Sequence, residues 1–205
     1  MNAVAQAAKR EVLMIGAAFG GGFYAGQILV NGQAFGLIVA PKAEGEHEDI
    51  EWNKNTKKVE GAQSFFDGRA NTEAMAAAGS PLAKWALDLR IAGQNDWYLP
   101  SRDELEICYR NLKPTIDENW VHRHGENPSS MPVGYPYTEK HPLQTEVEAF
   151  QDGQPEAFDE VWYWSSTQHA SDAGYAWGQN FTGGNQYDDR KGSSGRARAV
   201  RRFPI

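Results

Sequence analysis

Gly93-Gln94-Asn95-Asp96-Trp97-Tyr98-Leu99-Pro100-Ser101-Arg102-Asp103-Glu104-Leu105 is the stretch on which the reading of this chain turns. Ser101 followed three residues later by Glu104 is a capping box. The serine hydroxyl accepts from the amide of the third residue, and the glutamate reaches back to the amide of the cap. Leu105, Cys108 and Leu112 then share one face of the helix that this cap launches, and Pro114 ends it. Cys108 on that face reads as a small core residue, not a nucleophile. Trp97 and Leu99, just upstream, are expected to enter the core as the chain approaches the helix. A second helix precedes the stretch. Ser80-Pro81 caps it, Leu82, Trp85, Ala86 and Leu89 recur at helical spacing, and Gly93 is placed to stop it. Further upstream, Asn71 is expected to cap a shorter helix running through Ala78.

Toward the N-terminus, Phe23 to Val30 and Ala34 to Ala40 are apolar runs separated by Asn31-Gly32. Asn-Gly adopts positive φ at little cost, so the two runs predict a β-hairpin. Residues 1–19 are small and apolar. They read either as a short element packed on their own domain or as an arm that docks on a partner subunit. Val12 to Phe19 after Lys9-Arg10 resembles a signal peptide in outline, but Glu11 interrupts the charged region and a glycine run follows. The segment is therefore expected to be retained, and the chain to be made without Sec export. Residues 44–51 carry five acids, with no glycine where a helix–loop–helix Ca²⁺ loop needs one, and are expected to form a solvated loop.

Toward the C-terminus, residues 113–160 hold six of the ten prolines and predict a long irregular segment, of a kind that is often functional. His122 and His124 within it read as exposed loop histidines, not as a metal pair. Three strand-like stretches follow: Val161 to Thr167, Tyr175 to Phe181, and Asn185 to Lys191. A closing strand, Arg196 to Phe203, is expected to place Arg196, Arg198 and Arg202 on one face. All 27 acids precede residue 190, whereas the last sixteen residues hold six basic groups. Several of these arginines are expected to pair with carboxylates from the acidic loops.

Composition bounds the function. A chain of 205 residues buries roughly 70% of its unfolded surface and needs no disulfide or metal staple. Twenty-one glycines, with seven Trp, eight Tyr and nine Phe, indicate a turn-rich fold and exclude a coiled coil or a collagen. The net charge of −7 argues against a nucleic-acid partner, and no apolar run approaches the ~20 residues of a membrane span. A lone cysteine rules out an intrachain disulfide. No Ser-His-Asp spacing, metal quartet or phosphate loop appears, so no catalytic residue is assigned and the chain is read as a non-enzyme.

The central stretch resembles the G-x-x-x-W-x-L-P-S/T-x-x-E-L signature of the Lcl C-terminal domain family. Three further pieces follow in the family's order. They are Tyr163-Trp164-Ser165-Ser166-Thr167, then Tyr175-Ala176-Trp177 leading to Asn180-Phe181 and Gly183, then Arg198-Ala199-Val200-Arg201. Asp67-Gly68 and Asn71-Thr72 fit more weakly. The resemblance covers about residues 61–205 and leaves 1–60 outside, as an N-terminal arm and β-hairpin. It implies a C-type-lectin-like α+β fold, two helices flanking a twisted antiparallel sheet. Calcium-dependent sugar binding is not expected, since Gln154-Pro155-Glu156 is only a near miss to the sugar-binding tripeptides and no Trp-Asn-Asp occurs. No metal or other cofactor is expected.

Relatives of this fold include bacterial adhesins and the ligand-binding tips of phage tails. The resemblance, with no disulfide and no cleaved leader, leads to a phage virion protein made in the host cytoplasm. Its expected role is a tail-tip or fibre module binding a host cell-surface protein or glycan. It would meet other virion subunits through the N-terminal arm and form a homo-oligomer, a trimer by analogy. The alternatives are a structural virion component and an adhesin on the bacterial cell surface. By analogy with phage relatives, the ligand face is assigned to the last strands: Tyr175, Trp177, Asn180, Asn185, Gln186, Tyr187, Asp189 and Arg190. Tyr175 and Trp177 fit a core role equally well; the polar run from Asn185 to Arg190 does not.

Overall fold

The computed structural model describes residues 13–121 and 126–205. His122, His124 and the first twelve residues of the expected arm lie outside them. Among the described residues the fold is mixed α+β, with four helices and two five-stranded sheets. The first sheet contains β1 (Ala18–Phe19), β2 (Gly22–Val30), β3 (Gln33–Val39) and β10 (Val200–Pro204) in that order, with β5 (Ser130–Met131) also on β2. The second has the order β4 (Glu46–Glu51), β9 (Ser194–Arg198), β6 (Trp162–Gln168), β7 (Tyr175–Asn180) and β8 (Gln186–Arg190). Its pairings are antiparallel except β6 with β9, which is parallel.

The hairpin forms where Asn31-Gly32 predicts it. Val30 pairs with Gln33, and both turn residues have positive φ, 51° and 80°. The capping box at Ser101 is present, and α4 (Arg102–Leu112) follows it. α3 (Pro81–Asp88) starts on the Ser80 cap as expected. It ends before Gly93, which instead completes a tight turn between Ile91 and Gln94 with Ala92 also at positive φ. The helix α2 (Gly68–Ala77) is capped by Asp67, not by Asn71. Asn71 is buried and its amide ties Ser64 to Ser166 and Thr167. The resemblance implies two flanking helices, α3 and α4; α2 is the shorter helix read through Ala78, and the one-turn α1 (Lys42–Gly45) makes four among the described residues.

The acidic stretch 44–51 is not a loop. Its residues run through the end of α1 into β4 and pair with β9, where Glu46 meets the buried Arg198 and the partly buried Arg196. Glu46 lies within 3.2 Å of Arg196 and 4.0 Å of Arg198. Arg198 also reaches Glu156 at 2.6 Å, and Arg196 reaches Asp159. Arg201 and Arg202 find Asp96 and Asp67. The arginines therefore pair as expected, but not from one strand. The chain changes sheets at the buried Ala199, whose amide donates to Gly45 and whose carbonyl accepts from Ala40. β9 belongs to one sheet and β10 to the other.

Residue 60 is not a boundary between cores. One cluster joins Ile28, Leu37 and Val39 of the hairpin to Leu105, Ile107 and Cys108 of α4, to Tyr163 of the second sheet and to Phe181 just after β7. A second cluster lies on the other side of that sheet, where α2 and α3 cover Trp164, Ala176 and Ala197. Residues 13–19 pack on this same domain. Ile15 meets two of the clusters, and the Gly16 amide donates to the Tyr24 carbonyl. Among the described residues, 113–160 are largely irregular, with β5 and a 3₁₀ turn at Glu148–Phe150 among their regular parts.

Candidate functional site

The strand period separates seven of the eight assigned residues, and Asn185 lies in the turn between β7 and β8. Pairings Tyr175↔Arg190, Trp177↔Asp188 and Gln179↔Gln186 put these side chains on the face of the second sheet that backs onto α4. Pairings Ala176↔Asp189, Gly178↔Tyr187 and Trp162↔Asn180 put theirs on the opposite face. Tyr175, Trp177, Gln186 and Arg190 are thus on one side, and Asn180, Tyr187 and Asp189 on the other.

On the α4 side the groups are engaged with each other. Arg102, the first residue of α4, lies 4.4 Å over the Trp177 ring and 4.9 Å over Phe65. Its Nε donates to Gln186 Oε1 at 2.8 Å, and Gln186 Nε2 donates back to the Arg102 carbonyl at 3.0 Å. Burial lowers the Arg102 pKa, partly offset by Asp103. Trp177 and Gln186 therefore join the sheet to the start of α4. Arg190 is exposed and donates to the Tyr175 hydroxyl at 3.4 Å.

The opposite face carries an open groove. It is lined by Trp162, Trp164, Gly178, Tyr187 and Asp189, with Ser194 and Gly195 beside them, and encloses about 400 Å³. Trp162 on β6 and Tyr187 on β8 stand two strands apart, about 10 Å from the strand spacing. Gly178 of β7 lies between them as the floor, and a Cβ there would come within 2.9 Å of the Tyr163 carbonyl. Gly195 likewise leaves room for the Trp164 ring, which would be 2.7 Å from an added Cβ. Trp164 is fixed through Nε1, which donates to Ile50. Trp162 is 43% exposed and Tyr187 68% exposed, so two aromatic rings face solvent across a glycine floor.

Beyond Trp162 the same face continues into a second depression of about 520 Å³. Asn180, Gly183 and Asn185 line it, with Asp117, Glu118 and Trp120 from the irregular segment. Asn180 Oδ1 accepts from the amides of Thr182 and Gly183 and so fixes the turn after β7.

Buried ionisable groups lie elsewhere. Burial raises the Glu46 carboxyl despite Arg198 and Lys42. Burial raises Glu104 to about 7 against hydrogen bonds from Ser101 and Tyr98, and Glu106 to about 7 against Arg110 and Asn127. The Cys108 thiol is buried and pushed well up, first by desolvation and then by Glu104. Each of these carboxyls has a structural partner. Glu104 closes the α4 cap, and Glu106 receives the Tyr137 hydroxyl and the Asn127 amide. Among the described residues no group of three or more His, Cys, Asp or Glu side chains is placed to hold a metal ion. Glu156, in the near-miss tripeptide, is committed to Arg198 and to the Lys42 amide.

With this geometry in view, the chain matches the Lcl C-terminal domain family over residues 44–201. The chain belongs to the Lcl C-terminal domain family. No curated protein matches it. The family match starts at residue 44, not near 61, and so takes in β4, whose Glu46 holds the β9 arginines. Among the described residues of this Lcl C-terminal domain no helix is long and apolar enough to cross a membrane.

Within the domain, sequence reading reached Tyr187 and Asp189 of the groove but missed Trp162, Gly178, Ser194 and Gly195. The signal was parity. Residues 162 and 164, 178 and 180, and 187 and 189 point the same way once β6, β7 and β8 are aligned. That alignment needs the strand register, which a single strand's sequence does not contain.

Proposed function

We propose that this Lcl C-terminal domain is a non-enzymatic binding module on a C-type-lectin-like scaffold. Its place is the tail tip or fibre of a phage particle, and its groove over Gly178 grips a host cell-surface receptor. The observation that carries the reading is the pair of solvent-facing rings, Trp162 and Tyr187, across a glycine floor with Asp189 on the rim. Exposed aromatics give large contact area at low entropic cost, and a carboxylate beside them fixes orientation by hydrogen bonding. The buried carboxyls with raised pKa values, Glu46, Asp103, Glu104 and Glu106, are each bonded within the fold, and the groove is left as the candidate recognition surface.

The test is saturable binding of the purified chain to candidate bacterial hosts, with a Tyr187→Ala, Asp189→Ala double variant beside it. Loss of binding by the folded variant is expected. A folded protein that binds no host yet incorporates into particles would reassign it as a structural virion subunit. Assembly as a closed homo-oligomer, a trimer by analogy, is assigned to the N-terminal arm. Residues 13–19 pack on their own domain, so removal of residues 1–12 is the informative deletion. Light scattering should then give a monomer, and an unchanged oligomer would contradict the assignment.

A further inference from the structure

We propose that the groove continues past Trp162 into a second subsite, and that its occupant is a linear glycan strand of neutral or amine-bearing sugars. This rests on the receptor-binding reading above and names the chemistry of the receptor. The two depressions share Trp162 as a common wall, so they form one track and not two sites. Along that track stand three rings in succession, Tyr187, Trp162 and Trp120, exposed by 68%, 43% and 38%. Glycines alternate with them. Gly178 lies between the first two rings, and Gly183 lies against Trp120, whose Cδ1 would be 2.7 Å from an added Cβ. Ring, gap and ring along a shallow track match a ligand with flat apolar faces repeated along a chain. A pyranose has that shape: its C–H face stacks on an aromatic ring, and its hydroxyls project from the edge.

The polar groups give the sign of the charge. Asp189 stands in the first depression, and Asp117, Glu118 and the Asn185 amide in the second. Carboxylates accept strongly from hydroxyl or ammonium donors. Among the described residues no lysine or arginine lines either depression. A sulfated or uronic-acid strand would meet like charge at both ends of the track, in a chain that already carries −7. A neutral or amine-bearing strand meets acceptors throughout. A peptide strand fits less well. It would gain most of its affinity from backbone bonds along the free edge of β8, whereas the track runs over the sheet face.

The experiment probes an array of linear oligosaccharides, neutral, amine-bearing, sulfated and uronic, with the full chain. Trp162→Ala, Trp120→Ala and the more exposed Tyr187→Ala are run beside it, each checked for native circular dichroism. Binding is expected to neutral or amine-bearing strands alone, about tenfold tighter for tetrasaccharides and longer than for disaccharides. Trp120→Ala should reduce the long strands to disaccharide affinity, while Trp162→Ala and Tyr187→Ala should weaken both. Binding to acidic strands, no dependence on length, or no binding to any strand overturns the proposal. On host cells that the chain binds, periodate should remove binding and proteinase K should leave it. Binding that survives periodate and is lost to proteinase K overturns the glycan and leaves the receptor-binding reading standing. Array binding without cell binding does the reverse.

Discussion

The two faces of β6, β7 and β8 are built from the same few residues taken alternately, yet they do different work. Toward α4, the key polar groups Arg102 and Gln186 are answered within the chain. Arg102 stacks on Trp177 and exchanges hydrogen bonds with Gln186, and Tyr163 and Phe181 close the core behind them. Away from α4, the helices α2 and α3 cover the sheet only near Trp164, Ala176 and Ala197. The remainder is left as rings standing over glycine. An aromatic in a strand is therefore not by itself a sign of core or of binding. Its parity relative to the covering helix decides.

Substitutions on the two faces should separate accordingly. The largest effect is expected from Phe181→Ala, which empties a fully buried site against Tyr109, Phe158 and Tyr163. It should cost about 3–5 kcal/mol in urea unfolding. Gly178→Val comes next. Its side chain would crowd the Tyr163 carbonyl and fill the groove, so a loss of roughly 1–3 kcal/mol should accompany loss of cell binding. Arg102→Ala leaves Gln186 Oε1 without its donor and removes the stack on Trp177. About 1–3 kcal/mol is expected, and a smaller value would mean that the α4 side is less tightly joined than its contacts imply.

The pH dependence belongs to the helix behind the engaged face. Glu104 and Glu106 are raised to about 7 by burial, from an ordinary carboxyl value near 4.5. Between those values the folded chain holds more protons than the unfolded one. These two groups therefore stabilise the fold below about pH 4.5, and that contribution is lost as pH rises through about 7. Melting temperature followed across that window should show the decline, and Glu106→Gln should flatten it. The smallest effect is expected from Tyr187→Ala. Its stability should stay within about 0.5 kcal/mol of the parent, since the side chain is mostly in solvent.

Local chemistry made much of this fold legible. The Ser101–Glu104 box, the Ser80-Pro81 start and the Asn31-Gly32 turn are each decided by a few adjacent residues, and each appears where expected. The failures are non-local. Glu46 reads as one acid in a solvated run, and only the fold brings it against Arg196 and Arg198. Ala199 reads as the middle of a strand, but it is the corner where the chain passes between sheets. Asn71 resembles a helix cap, yet its amide serves residues almost a hundred positions away. The candidate site shared this limit. Tyr187 and Asp189 stand out as polar or exposed types in a strand, whereas Trp162 passes for core in an aromatic run.

The measurement that bears most directly on the two-face account is host-cell binding by two double variants compared with the parent chain. Trp162→Ala with Tyr187→Ala alters the open face; Tyr175→Ala with Arg190→Ala alters solvent-reaching residues of the opposite face. The account predicts that the first pair abolishes saturable binding and the second leaves it within about twofold. Binding lost only with the second pair would put the recognition surface on the α4 side and contradict it.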